Sequence, residues 1–90
     1  MAHTVRSKDK LIARVRRIRG QLDAVERALE AEEQCAEVLR QLASVRGALS
    51  GLTLEVMEGH LRGHILDADT DAERRHGGEE LIEVMKTYLK

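Results

Sequence analysis

The sequence predicts an all-α fold: a three-helix protomer with two long helices and a short C-terminal one, which pairs with copies of itself. Three observations carry this expectation. The composition has no Trp, Phe or Pro and a single Tyr, with 42% hydrophobic and 34% charged residues. That is the profile of long helices whose apolar stripes need partner helices. The apolar residues recur at helical spacing, whereas β-formers are sparse and turn signals do not repeat. Finally, a chain of 90 residues buries only about 60–65% of the surface its unfolded form exposes. A lone monomer without large aromatics would be marginal, so an oligomer is expected.

Helix one is expected from about Ser7, a good N-cap, to near Ala31. Leu11, Val15, Ile18, Leu22, Val25 and Leu29 are spaced 4-3-4-3-4, a heptad seam over nearly three repeats. Gly20 inside it costs about 1 kcal/mol relative to Ala, which the seam outweighs. Helix two is read over residues 34–66. Its apolar positions include Val38, Leu39, Leu42, Val45, Leu49, Leu52, Val56, Met57 and Leu61. Leu42, Leu49 and Val56 keep the heptad phase straight through Gly47 and Gly51, so those glycines permit close approach of a neighbour rather than mark a hairpin. The polar stretch Asp67–Gly78 is expected to end helix two, leaving His76 in a solvated loop. A short third helix then presents Leu81, Ile82, Val84, Met85, Tyr88 and Leu89. Residues 1–90 are read as one domain.

The net charge of −1 hides a segregation: residues 1–20 carry seven bases and one acid, and residues 21–37 carry six acids and one base. Ligands feel the local potential, so the N-terminal block can face a polyanion although the total is near zero. Lys10, Arg14 and Arg17 form one ridge on a helix, and a symmetric oligomer would duplicate it along a duplex. Double-stranded DNA is the expected partner, held through phosphate contacts. The plainer alternative is a solvated basic face. One aromatic residue cannot build a stacking platform for single strands.

No apolar run approaches a membrane span and no signal-peptide pattern opens the chain, so no membrane partner is expected. The single Cys35 cannot form an intrachain disulfide, which fits a reducing cytoplasm. P-loop, GxSxG, dinucleotide and helix-turn-helix signatures are absent. The Asp67-x-Asp69-x-Asp71 run opens like a calcium loop, but it has Ala72 and Gly78 where that loop needs Gly and Glu.

His60 and His64 are the sharpest local signal. At i and i+4 the imidazoles lie about 40° apart on one helix face, a spacing suited to one metal ion. Cys35 lies within about 20° of the same face but roughly 37 Å away along the axis. An antiparallel partner helix would bring its Cys35 beside this pair, so a two-fold dimer would build two Cys/His/His sites. The alternative for Cys35 is a small buried apolar residue. His3, on an N-terminal arm, is a candidate fourth ligand. Removal of Met1, which the small Ala2 allows, would put an α-amino group one residue from it. With Met1 retained, Met-Ala-His is itself a square-planar site for Ni(II) or Cu(II). Mixed thiolate and imidazole donors suit Ni(II), Co(II) and Zn(II), and Cu(I) less well.

The segments VRRIRGQLDAVERALE, Cys35, QLASVRGALSGLTLEVMEGHL and the closing helix resemble the CsoR/RcnR family of small helical metal-sensing repressors, over nearly the whole chain. The resemblance implies a three-helix protomer, an antiparallel dimer and a disc-like tetramer that binds DNA without a helix-turn-helix. Copper sensors of the family carry Cys where His64 stands, and formaldehyde sensors carry Pro at position 2 and Glu in place of His64. Ala2, His3 and His64 are similar to the nickel/cobalt branch, which uses an N-terminal His with Cys, His and His. The chain departs from that branch at Gln34 and Gly63, where carboxylates can stand, so possible oxygen ligands are lost. By the same resemblance Arg14, Arg17 and Arg46 would contact DNA.

The expected function is a cytoplasmic repressor that binds operator DNA in the apo state and releases it on binding Ni(II) or Co(II), with genes for metal efflux as targets. The alternative is a formaldehyde-responsive repressor using Cys35 and the N-terminal amine. A helical metal buffer without a DNA role is a rival of another class. An enzyme is not expected, because no nucleophile is paired with a base.

Overall fold

The computed structural model describes residues 7–89; His3 and the rest of the N-terminal arm lie outside them. Three α-helices follow in order: α1, Lys8–Glu30; α2, Cys35–His60; and α3, Asp71–Tyr88. A π-helical segment, Leu61–Leu66, continues α2. No strand occurs among the described residues, as the periodicity implies. The chain divides into two compact units, one of Lys8–Thr53 and the other containing residues 54–89.

In the first unit, α1 and the first part of α2 share a small apolar core. Ile18, Val25, Ala28 and Val45 are buried, with Val38, Ala48 and Leu52 packed around Ile18, Val25 and Val45. This splits the predicted seam in two. Ile18 and Val25, one heptad apart, are each 7% exposed, whereas Val15, Leu22 and Leu29 are 41%, 48% and 61% exposed. A seven-residue repeat puts each set on its own row, and only one row meets α2. On α2, Val38, Val45 and Leu52 turn inward, while Leu42 and Leu49 remain exposed in register with exposed Cys35. Gly47 and Gly51 lie within α2, and the helix continues through both as its phase requires.

Helix α1 ends in a Schellman motif. The Glu33 N–H donates to the Ala28 carbonyl at 3.0 Å and the Glu32 N–H to the Leu29 carbonyl at 3.1 Å. The motif needs a left-handed residue, and Glu32 takes that role at φ 55°. A non-glycine residue there costs roughly 1–2 kcal/mol.

In the second unit the structure corrects the expected end of helix two and start of helix three. The helical run does reach Leu66, but from Leu61 onward it is a π-helix, closed by the Asp67 N–H donating to the Arg62 carbonyl at 2.8 Å. The third helix begins at Asp71 rather than after Gly78 and spans 18 residues, so it is not short. Its start is set by Thr70, whose hydroxyl accepts from the Glu73 N–H at 3.1 Å. Thr70-x-x-Glu73 is a capping-box sequence, and Asp71 and Glu73 complement the helix dipole. The di-glycine Gly77-Gly78 is therefore helical, and His76 lies on α3 instead of in a loop. Arg74 ties the junction together. It donates to the Ile65 and Ala68 carbonyls, each at 3.1 Å, and pairs with Asp71 at 2.6 Å. Among the described residues no helix is long and apolar enough to cross a membrane.

Candidate metal centre

His60 is the last residue of α2, and His64 lies in the π-helical segment. Their rings face each other with centroids 4.7 Å apart and planes inclined by 34°. Both are half-buried. The wider turn thus keeps the two imidazoles on one side, as the i, i+4 spacing predicts, and π-turns of this kind recur at functional sites.

Helix α3 packs on the π segment, and the contact centres on Gly77. The His60 Nε2 donates to the Gly77 carbonyl oxygen at 2.9 Å. A Cβ on Gly77 would run into the carbonyl oxygen of His64 and lie 3.0 Å from the His64 Cβ. Gly77 is buried, and its lack of a side chain is what lets the helix seat there. An open cleft of about 350 Å³ beside His64 is lined on the α3 side by Ala72, Glu73, His76 and Glu80. His76 pairs with Glu80 across 3.5 Å on the exposed surface.

Cys35 stands at the opposite end of α2 from His60, with an exposed free thiol. Among the described residues no three His, Cys, Asp or Glu side chains gather closely enough to hold a metal ion. One chain therefore brings together His60 and His64 but not Cys35, and His3 lies outside the described residues. The donor chemistry fits a borderline divalent ion: two imidazoles face each other, and the Cys35 sulfur is exposed.

The four basic residues singled out from the sequence all lie in the Lys8–Thr53 unit. Lys10, Arg17 and Arg46 are exposed. Arg14 is half-buried, with its guanidinium close to Gly51: a Cβ there would meet the Arg14 Nη2 at 2.6 Å. Sequence reasoning missed Gly77 as the partner of the histidines and Arg74 at the junction; it reads Gly51 as a point of close approach, and the group that approaches it is the Arg14 guanidinium. The Thr70-x-x-Glu73 signature was the available signal that Gly77 would be helical.

The family model described as "metal-sensitive transcriptional repressor" matches residues 7–88. An uncharacterized protein in the bioA 5′ region of Serratia marcescens is 50% identical, with 100% of both chains covered. The transcriptional repressor RcnR of Salmonella paratyphi B is 41% identical, again over 100% of both. A solved structure also matches, with a TM-score of 0.85 and 42% identity. It is a Glu-to-His variant of the formaldehyde-responsive regulator FrmR from Salmonella enterica serovar Typhimurium, with 92% of this chain and 94% of that one covered. The chain belongs to the CsoR/RcnR family of metal-sensitive transcriptional repressors.

Proposed function

We propose that this repressor responds to Ni(II) or Co(II): the apo oligomer binds operator DNA, and metal at Cys35, His60 and His64, joined by His3, lowers that affinity. The observation that carries the reading is the facing pair His60 and His64. A second imidazole where formaldehyde sensors of the family carry Glu supplies a nitrogen donor with borderline-ion preference. Relatives named RcnR at 41% identity support the same branch. Cu(I) is a weaker candidate because one thiolate among imidazoles does not favour it, and Zn(II), which the donors also suit, stands behind Ni(II) and Co(II) on the likeness to relatives named RcnR.

The partner that completes the site is a second copy of the chain. Exposed Leu42 and Leu49 on α2, in register with Cys35, and exposed Val15, Leu22 and Leu29 on α1 leave apolar rows for such a copy to cover. An antiparallel copy lays the partner's Cys35 beside this chain's His60 and His64. The basic residues Lys10, Arg14, Arg17 and Arg46 are the proposed DNA contacts, duplicated by the dimer and again by a tetramer. A reducing cytoplasm would keep Cys35 available as a thiolate ligand.

Metal and DNA must weaken each other's binding by the same factor. The His3 arm precedes α1, so its capture restrains the basic helix. A formaldehyde response through Cys35 and the N-terminal amine is the second reading, favoured by the FrmR likeness. Duplex DNA binding measured against Ni(II), Co(II), Zn(II), Cu(I) and formaldehyde decides between them. Release by Ni(II) or Co(II) supports the proposal. Release by formaldehyde alone contradicts it.

A further inference from the structure

One residue touches both histidines of the pair. The Gly77 carbonyl oxygen accepts from the His60 Nε2, and the Gly77 Cα lies against the backbone of His64 so closely that a Cβ would collide with it. We propose that Gly77 is a positioning residue of the metal centre, holding the His60 proton on Nε2 so that His60 presents Nδ1 to the metal. This rests on the metal-responsive reading above.

A carbonyl oxygen has no proton to give, so at 2.9 Å the Nε2 of His60 must be the donor. A neutral imidazole carries one proton, and placing it on Nε2 makes Nδ1 the nitrogen with the lone pair. The carbonyl has two lone pairs, so it can serve the imidazole as well as the ladder of α3. Metal-binding histidines characteristically donate their other N–H to a carbonyl or carboxylate, which fixes both tautomer and ring orientation. His60 has that arrangement, and Gly77 supplies it through backbone atoms. The same glycine sets the spacing of His64, because its bare Cα is what allows α3 to approach the π-turn. The positions of the two rings are thus referred to one point on α3.

The test uses the full chain labelled with 15N-histidine, with Zn(II) as a diamagnetic probe. Long-range proton–nitrogen spectra are recorded for the apo and Zn(II)-loaded protein. The expected result is a His60 Nε2 that keeps its proton in both states, with Nδ1 as the nitrogen that shifts on Zn(II) addition. A metal-induced shift at His60 Nε2 instead of Nδ1 overturns the proposal and leaves the metal reading standing. No response at either nitrogen of His60 and His64 overturns both. Gly77→Ala, checked for helicity by circular dichroism, is expected to bind Zn(II) about 10- to 100-fold more weakly. A folded Gly77→Ala protein with unchanged Zn(II) affinity contradicts the assignment. Should the variant not fold, the nitrogen assignment in the unsubstituted protein decides alone.

Discussion

The guanidinium of Arg14 on α1 occupies the space that a side chain at position 51 on α2 would need: a Cβ on Gly51 would come within 2.6 Å of the Arg14 Nη2. The obstructing atom is the far end of a flexible side chain, so an added methyl group displaces Arg14 and leaves the backbone in place. Alanine also favours the helix over glycine by about 1 kcal/mol. Gly51→Ala is therefore expected to leave stability unchanged or raised in chemical denaturation, while DNA affinity falls as Arg14 is moved. A variant that loses both together would show that the seat of Arg14 is structural.

Charge removal on the basic face has a distinct signature. Arg17→Ala or Arg46→Ala, both at exposed positions, should weaken binding to any duplex sequence similarly. Each should reduce the slope of log affinity against log salt by about one for every copy of the residue that touches the duplex. Fluorescence anisotropy over a salt series measures this. An unchanged slope removes the residue from the phosphate contacts.

The turn after α1 holds a correctable cost. Glu32 sits at φ 55°, where glycine has no Cβ penalty, so Glu32→Gly is expected to stabilise the fold by about 1 kcal/mol. Denaturant unfolding checks the sign. The substitution also removes one acid from the stretch beside Cys35, so metal binding should be measured alongside.

The junction below the histidines should be sensitive at two points. Thr70→Ala removes the cap of α3 and is expected to cost about 1 kcal/mol. Arg74→Ala removes two bonds to the carbonyls of Ile65 and Ala68. It should cost a similar amount, about 1 kcal/mol, since the group is partly solvated. Both variants should weaken metal binding more than an exposed control such as Lys86→Ala, because the π-turn carrying His64 is what they loosen.

The apolar rows give a test of assembly. Leu49 is 46% exposed and lies in register with Cys35 on α2. If the proposed second copy covers this row, Leu49→Glu puts an unpaired charge into that interface, at a cost of about 3 kcal/mol or more. Sedimentation should show smaller species, and thiolate-to-metal absorption should weaken although every ligand is still present.

Much of this architecture is legible in the sequence because heptad spacing is a strong signal. The spacing predicts helix one over about residues 7–31 and α1 spans Lys8–Glu30; the heptad phase likewise predicts that α2 continues through Gly47 and Gly51. The division of the seam into a buried and an exposed row was not legible, since both rows share the same apolar residue types. The start of the third helix is hard to see in the sequence because the Asp, Thr and Gly residues between 67 and 78 have loop composition, although Thr70 and Glu73 form a cap. The π-turn has no signature in the residue spacing, and in the structure it is the segment against which α3 packs. For the site, the His60 and His64 pairing follows from spacing, whereas the Gly77 bond needs two segments 17 residues apart to meet.

A metal site shared between two copies of the chain can be rebuilt by mixing two defective variants. Cys35→Ala and His64→Ala proteins are co-refolded and titrated with Co(II), following the thiolate-to-metal absorption band. Neither variant alone can assemble Cys35, His60 and His64. A mixed dimer regains one complete site, built from Cys35 of the His64→Ala chain and the histidines of the Cys35→Ala chain. With a shared site, the band returns in the mixture. A mixture as silent as its two components, with mixed assembly verified by mass, would contradict it.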